Sequence, residues 1–129
     1  MRITRQLLFL LLILAGCGPM REVDFVWFNL SGHEIRVTDI SGLPATATPG
    51  VLVAVPDDTN RLHEASATFW ESIKVGESIK ITWNESGASR QFEAKRADLS
   101  IPSRLNGGQV RFSYLGDGKW RIRLLDHNI

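Results

Sequence analysis

The sequence predicts an all-β fold, a small antiparallel β-sandwich of about seven strands, with a small open β-barrel as the alternative. Three observations lead there. Short apolar or alternating runs recur along the chain with turn residues between them, at a spacing of about 8 to 12 residues. Helical periodicity is weak throughout the body of the chain. The length of 129 residues, with 43% hydrophobic side chains, fits one domain of modest core.

Val23 to Leu30 and His33 to Ile40 are two strand-like runs around Ser31-Gly32, a dipeptide suited to a tight hairpin turn. A two-residue loop sets Phe28 opposite Ile35 and Val26 opposite Val37, all four inward. The same register puts Trp27 beside Arg36 and Phe25 beside Thr38 on the outer face, where an Arg over an indole makes a cation–π contact. That outer face either meets a second sheet or forms a binding patch.

Ser41 to Gly50 is rich in Pro, Gly and small residues and reads as a loop. Val51 to Val55 is a continuous apolar run ending at Pro56, the pattern of a central strand. Pro56 to Asn60 is a further turn. Arg61 to Ser72 has moderate helical spacing at Leu62, Ala65, Phe69 and Ile73, so it admits one short helix.

Ser78 to Trp83 alternates, with Ile79, Ile81 and Trp83 on one face and Lys80 and Thr82 on the other. Asn84 to Gly87 is the turn, and Ser89 to Lys95 the return strand with Phe92 inward. Leu99 and Ile101 are placed to close one end of the core, which Trp27, Phe28, Trp83, Phe112, Tyr114 and Trp120 largely supply.

The register of the last hairpin can be tested against its own side chains. A three-residue loop Gly116-Asp117-Gly118 pairs Tyr114 with Trp120, Phe112 with Ile122 and Val110 with Leu124, all apolar and inward. A two-residue loop of Asp117-Gly118 would slip the register by one and set Phe112 opposite Arg123, mixing the faces. The longer loop, with Gly118 left-handed, is therefore expected. It places Arg111 directly across from Arg123 and Ser113 across from Arg121, and like charges opposed across strands cost up to about 1 kcal/mol. An acid is then required nearby. Glu93, Glu85 or Asp24 would supply it internally; otherwise Arg111, Arg121 and Arg123 form a binding surface for an acidic protein or an anionic lipid headgroup, with Trp27 and Arg36 as further surface candidates.

The amino-terminal segment carries a different kind of signal. Arg2 and Arg5 precede Leu7 to Leu14, an unbroken apolar run of eight. That is a basic region and a short hydrophobic region of a signal peptide, too short for a mature span, which takes about 20 apolar residues. The run ends in Leu14-Ala15-Gly16-Cys17, which resembles the lipobox of bacterial lipoproteins. The resemblance implies a diacylglyceryl group on the Cys17 thiol, cleavage between Gly16 and Cys17, and acylation of the new amino terminus. Residues 1–16 are then a signal peptide, 17–22 a lipidated Cys with a short tether, and 23–129 the sandwich domain. Gly18, where an Asp would favour inner-membrane retention, implies the periplasmic side of an outer membrane in an organism with two membranes.

Loss of Arg2 and Arg5 leaves 13 basic against 14 acidic residues, so the mature chain is close to neutral. With no long basic run, the counterion-release term of nucleic-acid binding has no footprint, and nucleic acid is not an expected partner. The single Cys rules out an internal disulfide.

Catalytic motifs are missing from the sequence. His63-Glu64-Ala65-Ser66-Ala67 begins like a zinc-protease helix but has Ala67 where the second imidazole must be, and His33 to Val37 fails likewise. The chain holds no nucleophile elbow, no phosphate-binding loop and no C-x-x-C pair, and a metal at His33, His63 and His127 would need three distant segments to converge. Neither enzyme activity nor a cofactor or metal is expected. The reading is an envelope lipoprotein held to membrane lipid through Cys17, acting as a protein-binding or assembly module on an envelope protein partner. An alternative is an immunity or inhibitor lipoprotein that neutralises a toxin or hydrolase, for which the Asp57-Asp58 turn is the candidate surface.

Overall fold

The computed structural model describes residues 21–59 and 65–126. The segment read as a signal peptide, the lipobox-like run with Cys17, His63 and His127 lie outside the described residues. Within them the chain is all-β, with no barrel closure and no helix long and apolar enough to cross a membrane. Ten strands are assigned: β1 (Val23–Asn29), β2 (Ile35–Ser41), β3 (Gly50–Leu52), β4 (Ala65–Phe69), β5 (Ile73–Lys74), β6 (Ser78–Glu85), β7 (Ala88–Lys95), β8 (Arg104–Leu105), β9 (Gly108–Gly116) and β10 (Lys119–Leu125). One sheet has the order β10-β9-β1-β4 and the other β3-β2-β6-β7, while β5 and β8 make a short ribbon.

The two large sheets pack face to face. Phe25, Trp27, Phe112, Tyr114 and Trp120 of the first meet Ile35, Val37, Ile79, Ile81 and Trp83 of the second in one buried cluster. Trp83 crosses between sheets to touch Tyr114 at 5.3 Å and Trp120 at 5.5 Å between ring centroids. Aromatic pairs of this kind add about 0.5 to 1.5 kcal/mol beyond their buried area.

The first hairpin of the sequence reading does not form. β1 runs parallel to β9, with Phe25 opposite Val110 and Trp27 opposite Phe112, and antiparallel to β4, while β2 sits in the other sheet. The cause is visible at Asn29. Its side-chain amide donates to the carbonyls of His33 at 2.7 Å and Leu52 at 3.0 Å, and its Oδ1 accepts the Ser31 N–H at 3.0 Å. Those side-chain bonds satisfy the loop backbone, so the chain turns away from β1 and crosses to the second sheet. Burial agrees: every residue of β1 is buried, whereas Arg36, Thr38 and Asp39 of β2 face solvent. A strand apolar on both faces belongs at the centre of a covered sheet.

The run Val51 to Val55 is likewise not a central strand. β3 is a three-residue edge strand, and its continuation changes sheets: Ala54 bridges Asn29 in parallel, and the Val55 N–H donates to the Asn29 carbonyl at 2.9 Å. The apolar run is divided between two sites, Leu52 entering the main core and Val55 a second small cluster with Val26 and Phe28. Residues 53–59 thus form a strap over the outer face of β1, which explains why that strand is buried on both sides. The segment read as a possible helix contributes β4, an edge strand, over its described part.

Both later hairpins follow the sequence. Ile79, Ile81 and Trp83 are fully buried, and the β6–β7 turn is Ser86-Gly87. In the last hairpin Tyr114 pairs with Trp120, Phe112 with Ile122 and Val110 with Leu124, as expected. Its tip is built differently, as a two-residue Asp117-Gly118 turn with φ of 54° and 75° followed by a bulge opposite Lys119, which restores the expected register. Ile101 is buried and Leu99 packs against the core, closing one end.

Candidate functional site

Two polar clusters stand out, one of which the sequence reading had anticipated in part. On the outer face of β9 and β10, Arg111 lies across from Arg123 and Ser113 across from Arg121. An acid that the sequence reading did not name, Asp58 of the strap, stands beside them. One oxygen of Asp58, Oδ2, accepts from Arg121 Nη2 at 2.6 Å, Arg123 Nη2 at 2.8 Å and Ser113 Oγ at 3.0 Å. The Asp58 carbonyl accepts from Arg111 Nη1 at 3.0 Å, and the Arg111 guanidinium also donates to Gln109 Oε1 while lying 5.5 Å over the Phe28 ring. Burial pushes the Asp58 carboxyl up, but the bonds from Arg121 and Ser113 and the charges of Arg121 and Arg123 outweigh it, leaving its pKa below 3.8.

The basic cluster and the Asp57-Asp58 turn, which the sequence offers as two separate binding surfaces, are therefore joined by Asp58. Arg111 is buried, and Arg121 and Arg123 are partly exposed at the rim of the strap. Trp27 and Arg36 are not brought together. Trp27 is buried, stacked on Phe112 at 3.9 Å with its Nε1 donating to the Ala47 carbonyl, and Arg36 is exposed in the other sheet. The cation–π contact falls to Arg111 and Phe28 instead.

The second cluster went unread. Period-two alternation in β6 continues past Ile79, Ile81 and Trp83 to Glu85, so a carboxylate points into the core. Four side chains converge on it. Tyr114 Oη donates to Oε1 at 2.5 Å and Trp83 Nε1 at 3.2 Å, His33 Nε2 lies 2.6 Å from Oε2, and Arg90 Nε is 3.6 Å from Oε1. Burial raises the Glu85 pKa, yet these hydrogen bonds and the Arg90 charge bring it below 4.5. Burial and the neighbouring carboxylate push the Tyr114 hydroxyl above 10.

Glu85 thereby ties together three connections at one end of the sandwich. His33 belongs to the β1–β2 loop and Glu85 to the β6–β7 tip. Tyr114 also accepts the Gly118 N–H at 3.0 Å, which brings in the β9–β10 turn. The Leu30 N–H donates to the Tyr114 carbonyl at 2.8 Å, fixing the first loop to β9 as well. Half-exposed His33 and Arg90 border the cluster. Leu115, next in sequence to Tyr114, and Val53, next to Leu52, are exposed apolar side chains, at 43% and 57%.

Chemically, the cluster holds a buried ionised carboxylate, saturated by donors, and a phenol that donates to it. That arrangement fixes loops. Among the described residues, no three His, Cys, Asp or Glu side chains are placed to hold a metal. No family model, curated protein or solved structure matches the chain.

Proposed function

We propose that the chain is a membrane-anchored envelope lipoprotein whose β-sandwich acts as a non-catalytic protein-binding or assembly module. The observation that carries this reading is polarity along the domain. The lipobox Leu14-Ala15-Gly16-Cys17 stands just ahead of β1, so an acyl anchor on Cys17 would hold the domain by the end at which Val23 enters. At about 3.3 Å per extended residue, the tether from Cys17 to Val23 spans roughly 15 to 20 Å. β1 then runs away from that end, and at its far end the Glu85 cluster stiffens three connections.

Two or three acyl chains, at about 0.8 kcal/mol per buried CH₂, make a durable anchor, and the domain would stand close to the headgroups, partner-facing turns outward, on the periplasmic side of an outer membrane where there is one. A stiffened set of turns suits recognition because little conformational entropy is lost on docking. With Asp58 bound to Arg121 and Arg123, the Asp57-Asp58 turn gives the inhibitor alternative less free charge than the sequence suggests.

The test is site-specific photocrosslinking in the native envelope. A probe at Leu115 should give a discrete adduct with one envelope protein, and a probe at exposed Gln91 on the outer edge of β7 should not. Equal, diffuse labelling from both positions would contradict the reading.

A further inference from the structure

Of the four tryptophans in the chain, Trp27, Trp83 and Trp120 are buried in the core, and Trp70 is 57% exposed. Its position is specific. Val23, the first residue of β1, pairs with Phe69, the last of β4, so Trp70 stands beside the point where the chain enters the domain. On the other side of β1, Val23 is opposite Gly108, and Arg21 lies against Gly107. The β5–β8 ribbon is at the same end, pairing Lys74 with Arg104, whose guanidinium donates to Ser72 Oγ at 2.8 Å. The segments at this end carry three exposed cations, Arg21, Lys74 and Arg104, and the acids Glu22, Glu71 and Asp126.

We infer that Trp70 is an interfacial membrane contact, its indole seated among the headgroups of the bilayer that holds the Cys17 anchor. The inference rests on the lipid-anchor reading and adds an orientation to it. An indole joins an apolar ring to one N–H donor, which is why tryptophan concentrates where hydrocarbon gives way to water. Length favours lipid as the occupant. The tether of roughly 15 to 20 Å keeps the β1 entry, and Trp70 with it, within reach of the headgroup layer. Lysine and arginine beside a membrane surface are attracted to anionic lipid. With this end down, the turns around Glu85 point away from the bilayer.

The experiment uses the mature, lipidated full chain in phosphatidylcholine and phosphatidylglycerol vesicles, with and without brominated acyl chains. Flotation reports the anchor, and tryptophan emission reports the indole. The expected result is that the protein floats, that brominated lipid quenches part of its emission, and that Trp70→Phe abolishes this quenching without altering flotation or the near-ultraviolet dichroism of the core. A protein that floats with no lipid-dependent quenching overturns the inference and leaves the anchor standing. Shielding of Trp70 from acrylamide in native envelopes without quenching in brominated vesicles also overturns it, and points to a protein cover. A chain that neither floats nor carries lipid on Cys17 removes the inference together with the reading beneath it.

Discussion

Tyr114 of β9 donates a 2.5 Å hydrogen bond to Glu85 of β6, joining the tips of two hairpins that belong to different sheets. The bond closes a sandwich that has no disulfide to do so. It also fixes the relative position of the turns that, in our reading, face a partner.

Removing that hydroxyl should be costly for its size. Tyr114→Phe leaves a buried carboxylate short of one donor and the Gly118 N–H without its acceptor, a loss of about 1 to 3 kcal/mol. Urea denaturation should show a lower midpoint with an unchanged slope. An unchanged midpoint would mean that water replaces the phenol freely and the cluster does not lock the turns.

Asp58→Asn should loosen the strap. The guanidinium groups of Arg121 and Arg123 lose their counter-charge, for a cost of about 1 to 2 kcal/mol given their partial exposure. High salt should narrow the difference from the native chain, since the Debye length falls to about 3 Å at 1 M. The local readout is the Val55 amide, bonded to the Asn29 carbonyl, whose hydrogen exchange should accelerate more than that of β6. Uniform acceleration would show the strap to be inseparable from the core.

Acid should destabilise the domain through both clusters. Glu85 and Asp58 have pKa values lowered on folding from 4.5 and 3.8. A lowered carboxylate pKa stabilises the fold above the unfolded value, and that contribution is lost as pH falls through the folded one. Stability should therefore hold down to about pH 5 and then decline, and Glu85→Gln should make the decline shallower while lowering the neutral plateau. A decline that begins near neutrality would assign the titration to other groups.

Two glycines should respond differently to the same substitution. Gly42 has φ of +88° and an added Cβ would stand 2.1 Å from the Ser78 carbonyl oxygen, whereas Gly87 has φ of +80° with open space around it. Gly87→Ala should cost about 1 kcal/mol, from conformation alone. Gly42→Ala should cost more, because backbone must move. Equal thermal shifts for the two variants would contradict the packing described at Ser78.

What the sequence made legible follows from where its signals are local. The β9–β10 register was readable because one slip would have put arginines on the core face. The β6–β7 hairpin was readable from strict alternation. β1 misled because a strand buried on both faces loses the alternation that identifies its neighbour, and Asn29 replaces the hairpin's backbone bonds with side-chain ones. The need for an acid beside Arg111 and Arg123 was legible, but its source was not, since Asp58 arrives on a strap from the opposite sheet. Glu85 was legible in the same alternation: counting every second residue past Trp83 places it inward, and an inward carboxylate demands donors.

In our reading, an acyl anchor on the sulfur of Cys17 decides which end of the sandwich meets lipid and which end is free to dock. Intact-mass measurement of the protein from the membranes of its native host tests this directly. We predict a chain beginning at Cys17 with the mass of a diacylglyceryl group and a further acyl chain. An unmodified thiol with residues 1–16 still attached would contradict the account.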